Sequence, residues 1–490
     1  MYRLIFAFLI LWSVLPSFSQ NFEISISMKT RNDTVHLTHV FASDERNLRL
    51  DTTIIMKDGK GVFRGNRVLP SGLYWIVNDQ RKLFQVLIGD HQQFGIEVDT
   101  ADFVNGVKFI SSPDNEVFYE FFLNDIQRQR AQSQLIEEFQ NAVDDTERYA
   151  IHARFQASSQ ERIELLNRLV SENEGLFVSR FLKALIPLDI PDHPRDESGA
   201  ITDHGYVYKW YRANFFSNFD IFDHGLLRTP MYEGKLKEYL RWFSQNHPPD
   251  TVNVEIDRLL SKALENSEIF RFMLVTTYNH FVTDEGLAAR DNYFVHILDN
   301  WYAPYAEWAT NLDEIIDEAE KVRYTLVGKI APPLAQLLVF PPEHFKAAEI
   351  DDEIKSDLHA GYIIDDFRTY IESKFLIVLF WDVNCGGCRD VIQSLWELYE
   401  ATKDNGLKVI TVQTNWEAKP RWVDFKNQHG MFDSGWLNAW IIYDNAWTSL
   451  YNTGIVPIMY VLNDKKEIVF KGRNLDLDWL QQWIINFSAE

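Results

Sequence analysis

The chain has 490 residues, too many for one compact core, and is expected to fold as two to four domains. With 46% hydrophobic and 24% charged residues, its composition is that of a soluble globular protein, which excludes wholesale disorder. A formal net charge of -23 repels polyphosphate and speaks against nucleic acid as a partner.

Residues 1–19 read as a signal peptide. Arg3 gives the positive start, Leu4 to Leu15 the apolar run and Pro16 a break, and Ser17-Phe18-Ser19 fits a small-x-small site with cleavage before Gln20. The run is shorter than the roughly 20 residues that span a bilayer, so cleavage is expected rather than anchoring. No cysteine follows it to carry a lipid, and no other stretch reads as a membrane span. The expected location is the periplasm or cell envelope, with no transmembrane segment after cleavage.

Residues 20–110 read as strands. Phe22, Ile24, Ile26 and Met28 alternate with polar neighbours, the period of a half-buried strand. Further short runs follow, Leu73 to Val77, Leu83 to Ile88 and Phe94 to Val98 among them, separated by turn signals such as Asp58-Gly59 and Pro70-Ser71-Gly72. This cadence predicts a small antiparallel β-sandwich. Over 111–325 the apolar spacing becomes three and four, beginning with Val117, Phe118, Phe121 and Phe122 behind Pro113-Asp114-Asn115, and predicts an all-α domain.

From 326 to 490 the pattern changes again. Phe375 to Trp381 is a continuous apolar run, as in a strand buried on both faces. A helix should follow, with Val391, Leu395, Leu398 and Thr402 in one stripe and Asn405-Gly406 ending it. Leu407 to Val412 is the next strand and Pro420 to Gln428 a helix. Ile455 to Leu462 and Glu467 to Lys471 form a hairpin, and Leu477 to Phe487 a last helix. The order predicts an α/β domain with a right-handed crossover, a mixed sheet and helices on both faces.

The two cysteines of the chain are Cys385 and Cys388, in Cys385-Gly386-Gly387-Cys388. With no disulfide framework to maintain, chance is a poor account of a pair three positions apart. Before a helix N-terminus, free backbone N–H groups and the positive dipole end would face the sulfur of Cys385, favouring a thiolate, the form that attacks a disulfide. Cys388 would lie one turn along, and Gly386 and Gly387 would leave the turn open to a substrate chain. Three readings compete: a permanent disulfide, which so small a loop makes only weakly stabilising; half of a metal site, for which no second cysteine pair exists; and a relic on an inert scaffold.

The segment Phe380-Trp381-Asp382-Val383-Asn384-Cys385-Gly386-Gly387-Cys388, placed between a strand and its helix, resembles the active-site segment of the thioredoxin fold. A second mark is Gly454-Ile455-Val456-Pro457, at the position of that family's cis-proline. The resemblance over 326–490 is to exported TlpA-like thiol–disulfide oxidoreductases of Bacteroidetes type, and the front of the chain resembles β and helical modules found with them, Asp223 to Pro230 being the stretch most like the helical one. It implies Cys385 as nucleophile and Cys388 as resolving thiol, with Val456, Pro457, Trp381, Gly386 and Gly387 toward the substrate. Trp381 also reads as core. The sequence departs from the family at three places: Leu379 stands where a buried acid is frequent, Val391 where the exported group often has Glu, and Gln393 near the usual helix-kinking proline. Proton delivery to the inner thiol would then fall to Asp382, Asp390 or water.

The expected function is an exported enzyme that exchanges thiols and disulfides in proteins through a dithiol mechanism, as reductase or isomerase. It would need a disulfide-bearing protein substrate and a thiol electron donor, and no cofactor or metal. The alternative is an envelope binding or scaffold protein whose thioredoxin-like domain only docks. A peroxide-reducing role is third, lacking a separate peroxidatic cysteine.

Overall fold

The computed structural model describes residues 21–28, 33–42, 48–78, 81–283, 289–334, 337–340, 362–364, 366–428, 436–441, 447–473 and 477–488. The expected signal at 1–19 lies outside them. The chain divides into two compact units, Met1–Tyr239 with Glu265–Phe272, and Leu240–Leu264 with Met273–Glu490. The stretch 111–325, expected as one helical domain, is shared between them.

The first unit opens with eight strands: β1 (Phe22–Met28), β2 (Thr34–Val40), β3 (Leu48–Ile55), β4 (Lys60–Gly65), β5 (Gly72–Asn78), β6 (Lys82–Ile88), β7 (Gln93–Val98) and β8 (Val107–Ile110). They form two four-stranded sheets, β4-β1-β7-β8 and β3-β2-β5-β6. The alternation read in β1 is realised, with Phe22, Ile24, Ile26 and Met28 all buried. The arrangement is not wholly antiparallel: β1 and β7 run parallel, with Ile24 opposite Phe94. Parallel neighbours cannot be joined by a hairpin, and here the chain makes strands of the other sheet between them. Helices α1 (Pro113–Asn141), α2 (Asp145–Glu172), α3 (Phe177–Lys183) and α4 (Tyr206–Asn214) follow, and α5 (Tyr232–Asn246) runs on into the second unit.

The second unit holds α6 (Pro249–Ala263), most of α7 (Ser267–Thr283), α8 (Arg290–Ile297) and α9 (Leu312–Val322) ahead of a seven-stranded sheet. Its elements are β9 (Leu337–Phe340), β10 (Tyr362–Ile364), β11 (Phe375–Trp381), α10 (Gly386–Thr402), β12 (Leu407–Gln413), α11 (Lys419–Gln428), β13 (Leu437–Ile441), β14 (Ile458–Leu462), β15 (Ile468–Gly472) and α12 (Leu477–Ser488). The sheet order is β10-β9-β13-β12-β11-β14-β15. Strands β13, β12 and β11 are mutually parallel, and β14 and β15 antiparallel to their neighbours, the mixed sheet that the order of elements predicts. β11 lies at its centre and is buried at all seven positions.

Sequence reading misses β9, β10 and β13, and starts β14 three residues early. β13 hides because a polar residue, Asn438, stands second in its five. Asn438 is fully buried, and the Thr411 hydroxyl on β12 donates to its side-chain oxygen at 3.2 Å. Helices on both faces hold only in part. One face carries a core built from α10, α11 and α12, through Leu395, Leu398, Trp422, Leu480 and Ile484. Among the described residues the opposite core is covered by Ala331, Leu334, Ile371 and Tyr451 and by the single-turn helices Phe367–Tyr370 and Trp447–Leu450.

The helices ahead of the sheet are fastened to it. The Lys471 ammonium on β15, almost wholly buried, meets Asp291 of α8 at 2.5 Å and donates to the Thr325 hydroxyl at 2.9 Å. Asn292 of α8 pairs with the backbone of Val327 in both directions, at 2.9 and 3.0 Å. Ala331 N–H then donates to the Lys466 carbonyl and Ile468 N–H to the Lys329 carbonyl, so the connecting segment runs along the start of β15. Removing one member of so buried an ion pair would leave an uncompensated charge on the other.

Candidate active site

The end of β11 delivers the chain to the start of α10, and the turn between them is built by backbone and side chain together. Asp382 accepts from Asn384 N–H through one carboxylate oxygen and from the Asn415 amide through the other, both at 2.9 Å. Cys385 N–H donates to the Asp382 carbonyl at 3.0 Å. Just past the end of β12, Thr414 donates its N–H and its hydroxyl to the Trp381 carbonyl, at 3.0 and 3.1 Å. Arg421 of α11 donates to the Asn384 side-chain oxygen and Arg389 to the Val383 carbonyl, both at 2.9 Å.

Cys385 is the N-cap of α10, the position where a side chain can satisfy a donor that the helix leaves over. Its sulfur accepts from Cys388 N–H at 3.2 Å, so a backbone dipole of the first turn points at it. The second contact comes from the loop before β14. The bond Val456–Pro457 is cis, and the Val456 carbonyl lies 3.9 Å from the Cys385 sulfur, within reach of its S–H. Two segments 71 residues apart thus meet at one sulfur.

The two thiols are both free and differ in access, Cys385 half-buried and Cys388 buried. Cys388 sits in the core with Trp381, Ile392 and Leu395. Burial pushes its thiol up to about 12, and the neighbouring Cys385 sulfur and Asp382 carboxylate push the same way. Over the turn the surface is open: a methyl group on Gly387 would meet nothing within 4 Å, and one on Gly386 only the Arg389 guanidinium at 3.9 Å. Val456 and Pro457 are partly exposed, and Ile455 beside them is 60% exposed.

The structure therefore brings Cys385, Cys388, Gly386, Gly387, Val456 and Pro457 to one place. Trp381 stands apart from them: it has no exposed surface and its ring packs by Phe425 beneath the turn, 5.6 Å between centroids. Leu379 and Val391, at positions where an acid would be frequent, contribute to the apolar core, and Asp390 is exposed on α10. Of the two aspartates weighed for proton delivery, Asp382 stands nearer the inner thiol and already bonds two partners. The collar of Thr414, Asn415 and Arg421 escaped sequence reading, because polar residues 30 or more positions downstream carry no local sign of folding back. Among the described residues no three His, Cys, Asp or Glu side chains converge as metal ligands, and no helix is long and apolar enough to cross a membrane.

No family model matches this sequence, and no curated protein matches it. Among solved structures the chain is similar to a thioredoxin-like protein from Bacteroides caccae, at 12% identity over 61% of this chain and 98% of that one, with a TM-score of 0.42. It is also similar to a thiol:disulfide interchange protein from a Bacteroides species, at 21% identity over 34% of this chain and 93% of that one, with a TM-score of 0.25. A third is the C-terminal domain of a thiol-disulfide oxidoreductase from Bacteroides thetaiotaomicron, at 16% identity over 34% of this chain and 98% of that one, with a TM-score of 0.26. At these scores and identities the likenesses carry no argument for function. That rests on the cysteine turn itself.

Proposed function

We propose that the protein is an exported thiol–disulfide oxidoreductase acting on protein disulfides through Cys385 and Cys388. The observation that carries the reading is the pairing of one accessible sulfur, at a helix N-cap and beside a cis-proline loop, with one buried sulfur a turn along. Export is supported by the signal-like residues 1–19.

The Cys385 thiolate attacks one sulfur of the substrate disulfide. A bond forms between Cys385 and that sulfur, and the other substrate sulfur leaves as a thiolate that takes up a proton. Cys388 then loses its proton and attacks the Cys385 sulfur, closing the Cys385–Cys388 disulfide and releasing the second substrate thiol. Two electrons pass to the substrate, and a thiol reductant of the envelope returns them to the pair. Val456 and Pro457 present the loop along which the substrate chain lies, while Gly386 and Gly387 leave room above the sulfur. Trp381 supports the turn from below. The raised pKa of Cys388 keeps it protonated, and so unreactive, until the mixed disulfide forms in front of it.

The test is reduction of insulin disulfides in the presence of a thiol reductant. The wild-type chain should accelerate it well above the reductant alone, and Cys385→Ser should abolish the acceleration. A wild-type rate no faster than the reductant alone would sink the proposal and leave a docking module.

A further inference from the structure

The loop that carries Val456 has a second neighbour. A cavity of about 340 Å³ lies in the second unit between α7, α8, α9 and this loop. Its lining includes Tyr278, Phe294, Ile315, Val322 and, from the loop, Asn452 and Ile455. Phe294, Ile315 and Val322 are buried apolar side chains and give the cavity an apolar patch, beside which Arg290, Asp291 and Arg473 also line it. Ile455, exposed and next in sequence to the residue whose carbonyl faces Cys385, forms the loop's side of it. Glu314 and Glu318, one turn apart on the exposed side of α9, stand at the rim. The volume falls at the small end of ligand pockets, room for a large side chain and not for an extended cofactor.

Three observations make this a built feature. The opposing wall does not come from the sheet; it comes from helices that precede the loop by more than a hundred residues. Of those helices α8 is tied to β15 by the buried Lys471–Asp291 pair and to the chain that follows by Asn292 on Val327, so that wall is in place before anything binds. The 312–322 helix also packs against the turn 447–450, which leads into the loop.

The geometry points to a substrate side-chain pocket: the helices ahead of the sheet receive a large apolar residue, aromatic or branched aliphatic, from the polypeptide whose disulfide Cys385 attacks. This rests on the proposed disulfide exchange and names which polypeptides it takes. A chain laid extended along Ile455 and Val456 sends alternate side chains to opposite sides, so one that reaches the sulfur can seat a nearby residue in the cavity. Seating it removes apolar surface from water and favours that substrate by about tenfold or more.

The test uses the full chain and two synthetic peptides with the same disulfide, identical except that the residues flanking the cysteines are Leu and Phe in one and Ser in the other, with bis(2-hydroxyethyl) disulfide as a small substrate. The expected result is kcat/KM at least about tenfold higher for the apolar peptide, with the ratio falling toward one in Glu318→Trp, whose indole is placed to fill the rim. Equal rates on the two peptides for the wild-type chain would overturn the pocket, and this comparison needs no variant. An undiminished ratio in a folded Glu318→Trp would overturn it as well; should that variant fail to fold, Ile455→Ser is read in the same way. Absence of turnover even on the small disulfide would instead sink the oxidoreductase reading itself.

Discussion

Asp223 to Pro230 in the first unit and Cys385 to Cys388 in the second are both tight turns rich in functional-looking groups, and they spend those groups in opposite ways. In the first, the Asp223 carboxylate accepts from Gly225 N–H and from the Arg180 guanidinium, both at 2.7 Å. Arg228, buried, donates to both Glu268 oxygens at 2.8 and 2.7 Å, and His224 meets the same carboxylate at 2.9 Å. The Leu227 carbonyl accepts from Ala42 N–H, and Gly72 packs so closely on Arg228 that an added methyl would lie 2.4 Å from its Cβ. The segment is a bracket between helix and sheet. In the second turn the sulfur of Cys385 keeps an exposed side, the glycines around it touch almost nothing, and the groups that do bond, Asp382, Thr414 and Asn415, hold the turn from behind. A charged cluster that closes on itself is structure. A sulfur left open above a hydrogen-bonded scaffold is what the proposed chemistry needs.

That contrast can be broken at either end. The largest expected effect is in thiol reactivity: in the reduced chain near pH 7.5, iodoacetamide should modify Cys385 on the order of a hundredfold faster than Cys388 or more, because the buried thiol is both shielded and held protonated. Peptide mapping after timed quenching reads this directly, and comparable rates would erase the difference between the two sulfurs. Next is Arg228→Ala, which leaves Glu268 without its two guanidinium hydrogen bonds and should cost about 2–4 kcal/mol in the first unit, seen in thermal or urea unfolding. Disulfide turnover per folded molecule should not follow it. If turnover fell while stability held, the bracket would have a part in the chemistry after all.

The same cluster gives a pH signature. The His224 hydrogen bond, and then Arg228, hold the Glu268 carboxyl down to about 2 against an ordinary value of 4.5. A depressed folded value means that the folded state gives up its proton more readily than the unfolded one. The contribution is therefore full above pH 4.5 and is lost as the pH falls from 4.5 toward 2. Acid unfolding of the wild-type chain should steepen in that window, and Glu268→Gln should flatten it. Cys388 acts at the other end of the scale and with the other sign. Its folded thiol is raised from 9 to about 12, so the reduced chain should lose stability as the pH climbs between those values, and the disulfide form should not.

How much of this was legible beforehand differs between the two turns for a physical reason. The cysteine turn announces itself locally: an unbroken apolar strand, two thiols at helical spacing, and a Gly-Ile-Val-Pro loop whose proline is cis in the structure. Each of those marks is contained in fewer than ten residues. What was not legible is whatever needs the chain to return on itself. The polar collar at Thr414, Asn415 and Arg421, the buried Asn438 in β13, the parallel β1–β7 pair and the bolting of Asp291 to Lys471, 180 positions further on, are long-range pairings of residues ordinary in their own neighbourhoods. Trp381 was ambiguous between wall and core, and the absence of exposed surface places it in the core.

The smallest expected effect sharpens the comparison at its open end. Gly387 lies in the first turn of α10, where an added methyl has no neighbour within 4 Å and the backbone is not left-handed. Gly387→Ala should therefore stabilise the chain by less than about 1 kcal/mol, through the unfolded freedom and weak helix propensity that glycine brings. A small disulfide can approach Cys385 past that methyl, but a polypeptide laid over the turn meets it face on. Insulin turnover should consequently fall by a few-fold relative to turnover of the small disulfide, with the melting temperature unchanged or slightly higher. A variant that slowed both substrates equally would place the glycine's importance in the geometry of the sulfur, and one that slowed neither would mean that the substrate chain does not cross Gly387.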